Sequence, residues 1–274
     1  MSAQPIIVDV EDPVLSHKVP LATGEVHLWL CDYADIGDKQ LLDAYRTLLN
    51  EGEKEQESRF YFERDRRRYL VTRALVRTVL SRYEPIEPKD WRFCVNAYGC
   101  PKIESPERVV RLSFNISHAH SLIVLGVADG RALGVDVENV LAREVSIDIA
   151  DNFFSPTEVA ALAGVPTTRQ HDRFFEYWTF KESYIKARGM GLSIPLDKFS
   201  FQYPHDGVVQ IAIDPALADD PRRWKFWQFR PTPEYLVAVC ADREQSRSMA
   251  VVVREIVPLQ VEKLYPHTLS RMSK

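Results

Sequence analysis

The chain has 274 residues, of which 45% are hydrophobic and 27% charged, and its formal net charge is −4. This composition is typical of a globular protein, and it argues against nucleic-acid binding as the main activity because phosphate neutralisation usually requires a basic domain. No apolar run approaches the roughly 18 residues that span a bilayer, and no basic segment precedes an apolar stretch at the N-terminus, so we expect a cytoplasmic protein that binds no membrane.

The N-terminal part of the sequence predicts one strand, two helices and then strands. Alternating apolar residues indicate a strand over residues 25–31, and apolar residues at helical spacing indicate a helix over 41–49. One long helix is predicted over 54–83, ending before Pro85 because the residue that precedes a proline disfavours the helical conformation. Strands with short connections are then predicted at 91–95, 112–117, 122–127 and 132–137.

The C-terminal part predicts two helices followed by strands. Ser155 fits the cap of the first helix, since Glu158 follows it by three residues as in a capping box. The second helix is predicted over 169–188 and ends at Gly189, because glycine commonly caps helix C-termini. The polar tail after Val257 is expected to be loosely ordered. The strands are predicted at 199–202, 208–213, 224–229 and 235–240.

The two halves of the chain have similar sequence patterns. Each carries a long helix, with an Arg-Phe-Tyr-Phe or an Arg-Phe-Phe-Glu-Tyr segment, followed by an apolar hairpin. We therefore expect an α/β (α+β) fold of two similar halves, residues 1–130 and 131–274, in a pseudo-two-fold arrangement. Functional sites are expected between the halves, as is common at such junctions.

A pair of acidic residues lies in an otherwise apolar segment. Asp136 and Glu138 alternate with Val135 and Val137, so both carboxylates point to one face of an extended chain. Taken alone, such an alternation is most often a solvated strand face.

A second segment supplies a further carboxylate and a lysine. Glu182 and Lys186 share one side of a helix with Trp178 and Ile185. An exposed ion pair is the ordinary interpretation, but the apolar neighbours favour a side that packs against the sheet. Three buried carboxylates would repel one another unless a cation offset their charge. Oxygen ligands suit Mg²⁺, which is typically shared with a substrate's phosphates, so a phosphorylated substrate is predicted.

A third segment, Phe114-Asn115-Ile116-Ser117-His118, ends a predicted strand. Ser117 and His118 could hold a phosphate there through short polar side chains and backbone amides, and a turn histidine without a role is the alternative. Arginines of the long N-terminal helix, Arg68 among them, could pair bidentately with a phosphate, although most arginines on such a helix are solvated.

These segments together resemble a known signature. Leu-Gly-Val-Asp-Val-Glu from Leu133, Trp-x-x-Lys-Glu-Ser-Tyr-Ile-Lys from Trp178, the segment from Phe114 and Gly189-Met190-Gly191-Leu192 resemble the 4′-phosphopantetheinyl transferases of the larger, monomeric, surfactin-type group. The resemblance covers about residues 54–200. It implies a holo-carrier-protein synthase with the fold of that family. Such an enzyme transfers the phosphopantetheine arm of coenzyme A to a serine of an acyl or peptidyl carrier protein, releases adenosine 3′,5′-bisphosphate, and serves fatty acid or natural product biosynthesis.

The resemblance also implies roles for matching residues. Mg²⁺, or alternatively Mn²⁺, would be ligated in the C-terminal half by Asp136, Glu138 and Glu182. Lys186 would contact the phosphates and stabilise the charge on the leaving group. The 3′-phospho-adenosine part would lie on the N-terminal half, held by Arg68, Ser117 and His118. The serine proton would be taken by Glu182 or Glu158, and for Glu158 the capping box is the competing interpretation.

The sequence departs from the family where a cation is expected. Relatives often have Gly-Lys-Pro where this chain has Gly99-Cys100-Pro101, and Lys102 is the candidate replacement in binding coenzyme A. Cys100 is also the only support for an alternative, a non-catalytic module that binds coenzyme A or a carrier protein. A different metal-dependent phosphotransferase is disfavoured because the chain lacks a glycine-rich phosphate loop. The contact surface for the carrier is expected over 139–154.

Overall fold

The structure is a computed structural model, and it describes residues 18–104, 111–142, 149–244, 246 and 248–274. The helices in the N-terminal part are α1 (Lys39–Leu48), α2 (Glu51–Arg59) and α3 (Glu63–Leu80). The strands there are β1 (Glu25–Asp32), β2 (Arg92–Val95), β3 (Pro101–Glu104), β4 (Ser113–Ala119), β5 (Leu122–Ala128) and β6 (Leu133–Asn139).

The C-terminal part follows the same mixture of helices and strands. Its helices are α4 (Ala150–Phe153), α5 (Pro156–Ala163) and α6 (Thr167–Arg188). Its strands are β7 (Phe199–Gln202), β8 (Gln210–Ile213), β9 (Trp224–Phe229), β10 (Tyr235–Asp242), β11 (Ala250–Val257), β12 (Val261–Leu264) and β13 (Leu269–Met272). The strands at 199–202 and 224–229 have the predicted bounds, and α6 ends at Gly189 in the left-handed conformation, as predicted.

The single helix predicted over 54–83 is wrong. The chain leaves the helical conformation between α2 and α3, where Phe60 and Phe62 have extended backbones with ψ of 125° and 134°. The buried Glu53 of α2 forms an ion pair with Arg77 of α3 and so holds the two helices against each other. The apolar periodicity continues across the break, so it predicts one helix. It contains no information about an ion pair between residues so far apart in the chain.

Two main sheets organise the molecule. One has five strands in the order β12-β11-β1-β5-β4, and the other has four in the order β13-β9-β10-β6. Strand β11 runs parallel to β1, and the remaining pairs in these sheets are antiparallel. Two hairpins, β2-β3 and β7-β8, form small separate sheets. The α+β class is therefore confirmed, whereas the pseudo-two-fold division at residue 130 stays a prediction.

The tail after Val257 is ordered, contrary to expectation. Strand β12 pairs with β11, and β13 pairs with β9, so the end of the chain contributes to both main sheets. Its polar composition gives no local signal, because the pairing depends on strands elsewhere in the chain. Among the described residues, no helix is both long and apolar enough to cross a membrane.

The alternation along β6 sends its residues to two different environments. Val135 and Val137 lie in the apolar core between the two sheets, together with Val124 of β5 and Val237 of β10. Asp136 is on the opposite face, where α6 packs. The predicted separation of an apolar from an anionic face is confirmed, and the anionic face is covered by a helix.

A glycine permits the close approach of α6 to this face. A Cβ atom added at Gly134 would lie 1.9 Å from the Ser183 carbonyl oxygen and 2.4 Å from the Ala187 backbone nitrogen. Only glycine therefore fits at this position without displacing the helix. The contact sets the segment from Glu182 to Lys186 beside Asp136.

The outer strand β4 of the first sheet lies beside the outer strand β6 of the second. We call the boundary between these two strands the seam. Helix α6 lies against β6, so side chains from β4, β6 and α6 can meet at the seam.

Candidate functional site

The ammonium group of Lys186 joins the three elements at the seam. It donates to Asp136 Oδ1 at 2.7 Å, to Ser117 Oγ at 2.9 Å and to the Val135 carbonyl oxygen at 3.1 Å. The Lys186 side chain is 26% exposed and that of Asp136 is 6% exposed, so the pair opens to solvent on the lysine side. The predicted meeting of the acidic strand with the helix lysine is thus present.

The two carboxylate oxygens of Asp136 have different surroundings. Oδ1 accepts hydrogen bonds from Lys186 and, at 3.1 Å, from the Ser117 hydroxyl. Oδ2 is buried and has no hydrogen-bond partner among the described residues. A buried carboxylate oxygen without a partner is costly, and a cation or a water would relieve that cost. Asp136 therefore has one oxygen that is held and one that can bind a ligand.

The other two carboxylates of the predicted set affect the pKa of Glu182. Its pKa is raised to about 7, first by burial and then by repulsion from Asp136 and Glu138, while Lys186 acts in the opposite direction. Glu138 accepts a hydrogen bond from the indole N–H of Trp178 at 2.9 Å, which ties β6 to α6 one helical turn before Glu182. Near neutral pH and without a cation, both the protonated and the ionised form of Glu182 are therefore populated.

The donor chemistry fits a divalent cation, although the carboxylates do not form a closed cage. Within the described part of the chain, no three Asp, Glu, His or Cys side chains are grouped closely enough to hold a metal ion by themselves. Mg²⁺ usually binds only one or two carboxylates and takes its remaining ligands from phosphates and water. The free Oδ2 of Asp136 and the repulsion felt by Glu182 fit an ion that arrives with a phosphorylated substrate.

Ser117 lies inside β4 and not at its end, because the strand continues to Ala119. Its hydroxyl donates to Asp136 Oδ1, accepts from Lys186, and accepts a longer hydrogen bond of 3.4 Å from the Val137 N–H. A hydroxyl has one proton and two lone pairs, so these three contacts use its full capacity. The strand extends two residues beyond the predicted end at Ser117, and the predicted contact with a phosphate stays a prediction.

His118 and Arg68 are close enough to influence each other. The pKa of His118 is lowered by desolvation first and also by the positive charges of Arg68 and Lys186, while a backbone hydrogen bond and the Asp136 carboxylate act in the opposite direction. Arg68, on α3, also pairs with Asp65 at 3.2 Å. Cations from α3 and α6 therefore both act on the His118 imidazole beside the seam.

Glu158 forms the capping box that the sequence left as one alternative. Its Oε2 accepts from the Ser155 backbone N–H and hydroxyl, each at 2.9 Å, and its Oε1 accepts from the Phe201 N–H at 2.8 Å. It also pairs with Lys181 of α6 at 2.7 Å, and neither side chain is exposed. Because no oxygen of Glu158 is accessible, we leave this residue out of the set that transfers a proton.

The hairpin β2-β3 reaches the end of α6. The Asn96 side chain donates to the Gly189 carbonyl oxygen at 2.7 Å, and its own oxygen accepts from the Cys100 N–H. Burial raises the pKa of the Cys100 thiol, and Lys102 opposes this shift. Lys102 itself is exposed on β3 and, within the described residues, has no hydrogen bond or ion pair with the acidic set.

The sequence patterns assign no role to two residues of the candidate site. Gly134 lies within the acidic-strand motif, and a glycine inside a strand often marks a close backbone approach. Asn115 accepts a hydrogen bond from the Val135 N–H across the seam at 2.8 Å. Its signal was weaker: a polar residue alternating with apolar residues in a strand.

Comparison with known proteins identifies the family. The profile of the 4′-phosphopantetheinyl transferase superfamily matches residues 132–240, and that of the 4′-phosphopantetheinyl transferase N-terminal region matches residues 37–129. A solved structure of holo-[acyl-carrier-protein] synthase from Thermotoga maritima is similar over 40% of this chain and 62% of its own, with 18% identity and a TM-score of 0.33. Because this score is low, the assignment does not depend on it.

Curated relatives match most of the chain. The 4′-phosphopantetheinyl transferase Sfp of Bacillus subtilis is 34% identical over 200 residues, which is 73% of this chain and 84% of Sfp. The 4′-phosphopantetheinyl transferase HetI of Nostoc is 34% identical over 222 residues, which is 81% of this chain and 90% of HetI. This chain therefore belongs to the 4′-phosphopantetheinyl transferase superfamily, in its surfactin-type group.

Proposed function

We propose that the enzyme transfers the 4′-phosphopantetheine arm of coenzyme A to a serine hydroxyl of an apo carrier protein, in a Mg²⁺-dependent reaction that releases adenosine 3′,5′-bisphosphate. The observation that carries the proposal is the meeting of Lys186 with Asp136, whose second oxygen is free, beside a Glu182 carboxyl with a pKa of about 7. This arrangement supports a site for a cation and a pyrophosphate.

Three carboxylates would hold the ion: Asp136, Glu138 and Glu182. When bound, Mg²⁺ would neutralise negative charge on the pyrophosphate of coenzyme A. Lys186 adds a fixed positive charge beside the same phosphates. Its three protons are engaged by Asp136, Ser117 and Val135, so a phosphate oxygen would replace one of these acceptors.

The serine oxygen forms a bond to the phosphorus of the phosphopantetheine phosphate, and the bond from that phosphorus to the bridging oxygen breaks. The serine proton passes to the carboxylate of Glu182, which is partly exposed, whereas the alternative, Glu158, is fully buried. Lys186 stabilises the charge on the departing adenosine bisphosphate.

The far end of coenzyme A is proposed to lie towards the N-terminal half. Arg68 and His118, which influence each other electrostatically, would hold the 3′-phosphate, and Ser117 remains the third predicted contact. Lys102 is the proposed replacement for the cation that Cys100 lacks, through the hairpin that the Asn96 contact fixes beside α6.

The partner is proposed to be an acyl or peptidyl carrier protein of fatty acid or natural product biosynthesis. We further propose that the enzyme works as a cytoplasmic monomer and that Mn²⁺ can replace Mg²⁺. The predicted carrier contact surface over 139–154 includes residues 143–148, which lie outside the described residues. The non-catalytic alternative gains no support, since Asp136, Glu182 and Lys186 are all present and assembled.

The test is a mass measurement. Apo carrier protein incubated with the enzyme, coenzyme A and Mg²⁺ is expected to gain the mass of one phosphopantetheine unit, and adenosine 3′,5′-bisphosphate should accumulate in equal amount. Asp136→Asn should slow the gain about 10²- to 10³-fold while the variant stays folded. An unmodified carrier, tested with several acyl and peptidyl carriers, would refute the proposal.

A further inference from the structure

The seam is bridged by side chains of one strand. Asn115 Oδ1 accepts from the Val135 N–H at 2.8 Å, and Ser117 Oγ accepts from the Val137 N–H at 3.4 Å. At the start of the seam, the Ser113 hydroxyl donates to the carbonyl oxygen of Arg131 at 2.5 Å. The bridging residues alternate along β4, so all of them lie on one face.

These side-chain hydrogen bonds provide partners for backbone groups that the strands leave unpaired. β4 and β6 are outer strands of separate sheets, and an outer strand has backbone groups that no neighbouring strand of its own sheet satisfies. Asn115 is 7% exposed and Ser117 is 9% exposed, so water does not readily replace these partners. A buried amide without a partner is unfavourable, and the two side chains supply the missing acceptors.

The bridged amides flank Asp136. Val135 and Val137 are its immediate neighbours, so the two contacts fix the backbone on both sides of this residue. Ser117 also donates to Asp136 Oδ1, the oxygen that Lys186 shares, and the free oxygen is Oδ2. Both the main chain and the carboxylate of Asp136 are therefore oriented from β4.

We propose that Asn115 and Ser117 are positioning residues that hold Asp136 across the seam and present its Oδ2 to the ion. This inference rests on the proposed function for its catalytic part. It gives Ser117 a role that differs from contact with the 3′-phosphate, because the proton of its hydroxyl is already committed to Asp136. Partners that orient a metal ligand typically change metal affinity or activity by about 10- to 100-fold when they are removed.

The first test compares Asn115→Ala with Asn50→Ala. Asn50 Oδ1 also accepts a backbone N–H, that of Glu53 at 2.9 Å, but it caps α2 and lies outside the seam. We expect Asn115→Ala to accelerate amide exchange at Val135 and to lower kcat about 10- to 100-fold with little change in the KM for coenzyme A. Asn50→Ala should retain kcat at a comparable Tm.

The amide exchange in this test does not depend on activity. If the wild type transfers nothing, the proposed function fails, while faster exchange at Val135 in Asn115→Ala still supports the bridge. Unchanged exchange at Val135 overturns the inference. So does faster exchange with kcat within two-fold of the wild type, because the contact would then be structural only.

The second test separates positioning from phosphate binding at Ser117. Ser113→Ala is the matched control, since it removes a hydroxyl from the same face of β4 away from Asp136. We expect Ser117→Ala to lower kcat about 10- to 100-fold and to raise the Mg²⁺ concentration needed for half-maximal rate. Its Kd for adenosine 3′,5′-bisphosphate, measured by calorimetry, should stay within two-fold of the wild type.

The same calorimetry can also contradict the positioning role of Ser117. A weaker Kd for adenosine 3′,5′-bisphosphate in Ser117→Ala, together with an unchanged Mg²⁺ requirement, would make Ser117 a phosphate contact and overturn its positioning role. Ser117→Thr retains the hydroxyl and is expected to recover most of kcat. An equal loss of kcat in Ser113→Ala would also contradict the inference.

Discussion

Helix α6 carries two lysine–carboxylate pairs with the same separation of 2.7 Å, Lys181 with Glu158 and Lys186 with Asp136. In the first pair both side chains are fully buried, and Lys181 also donates to two backbone carbonyl oxygens. In the second pair the lysine is partly exposed, and one aspartate oxygen has no partner in the part of the chain that the structure describes. The two pairs therefore have the same distance and the same charges. Solvent access and an unused acceptor oxygen distinguish the proposed catalytic pair from the structural one.

The largest expected effect is on stability, from breaking the buried pair. Lys181→Met leaves the Glu158 carboxylate without its counter-charge in a site with no exposure, and breaking one partner of a buried pair typically costs about 3–5 kcal/mol. Chemical denaturation should show this loss. A loss below about 1 kcal/mol would mean that the pair is not buried as described.

Changing the partly exposed pair of Lys186 with Asp136 should affect activity and not stability. Asp136→Asn is nearly isosteric, so we expect the folded state to persist while the transfer rate falls about 10²- to 10³-fold, the typical effect of losing one electrostatic contact to a transition state. Steady-state kinetics with circular dichroism would check both parts. Full activity in a folded Asp136→Asn variant would contradict the distinction between the pairs.

Gly134→Ala tests the packing that holds α6 on β6. The added methyl group meets backbone atoms of Ser183 and Ala187, which cannot move without shifting the helix. We expect a loss of about 1–3 kcal/mol or more in the free energy of unfolding, together with reduced activity. Gly52→Ala is a suitable control, because a Cβ there meets, among the described residues, only the Asn50 side chain at 3.5 Å. Equal behaviour of the two variants would refute the role of Gly134.

The smallest expected effect is a pH dependence at Glu182. Its pKa is raised from 4.5 to about 7, so the protonated form is favoured in the folded protein, and the stability this contributes is present below pH 4.5 and lost as the pH rises through 7. In a chelator, Glu182→Gln should therefore match the wild-type Tm at low pH and exceed it at pH 8. A Tm difference that does not grow with pH would argue against a repelled carboxylate at this position.

The sequence predicted much of the site from local patterns. Alternation in β6 correctly separated Asp136 from the valines, and helical spacing correctly brought Lys186 to the acidic strand. The capping pattern at Ser155 predicted that Glu158 belongs to a capping box, and the hydrogen bonds of Glu158 match this interpretation. Each of these inferences needed only residues close together in the chain.

What the sequence did not predict depends on contacts between distant segments. The break between α2 and α3 is supported by the ion pair of Glu53 with Arg77. The bridge from Asn115 to Val135 requires β4 and β6 to be neighbouring outer strands, which no local pattern reveals. The order of the polar tail likewise depends on pairing with strands far back in the chain.

The most direct measurement is the Mg²⁺ dependence of transfer from coenzyme A to an apo carrier protein, in the wild type and in Asp136→Asn. We expect rapid transfer by the wild type that a chelator abolishes and added Mg²⁺ restores, and slow transfer by the folded variant at any Mg²⁺ concentration. Wild-type transfer at the same rate in the chelator, or a variant as fast as the wild type, would contradict a cation site at Asp136.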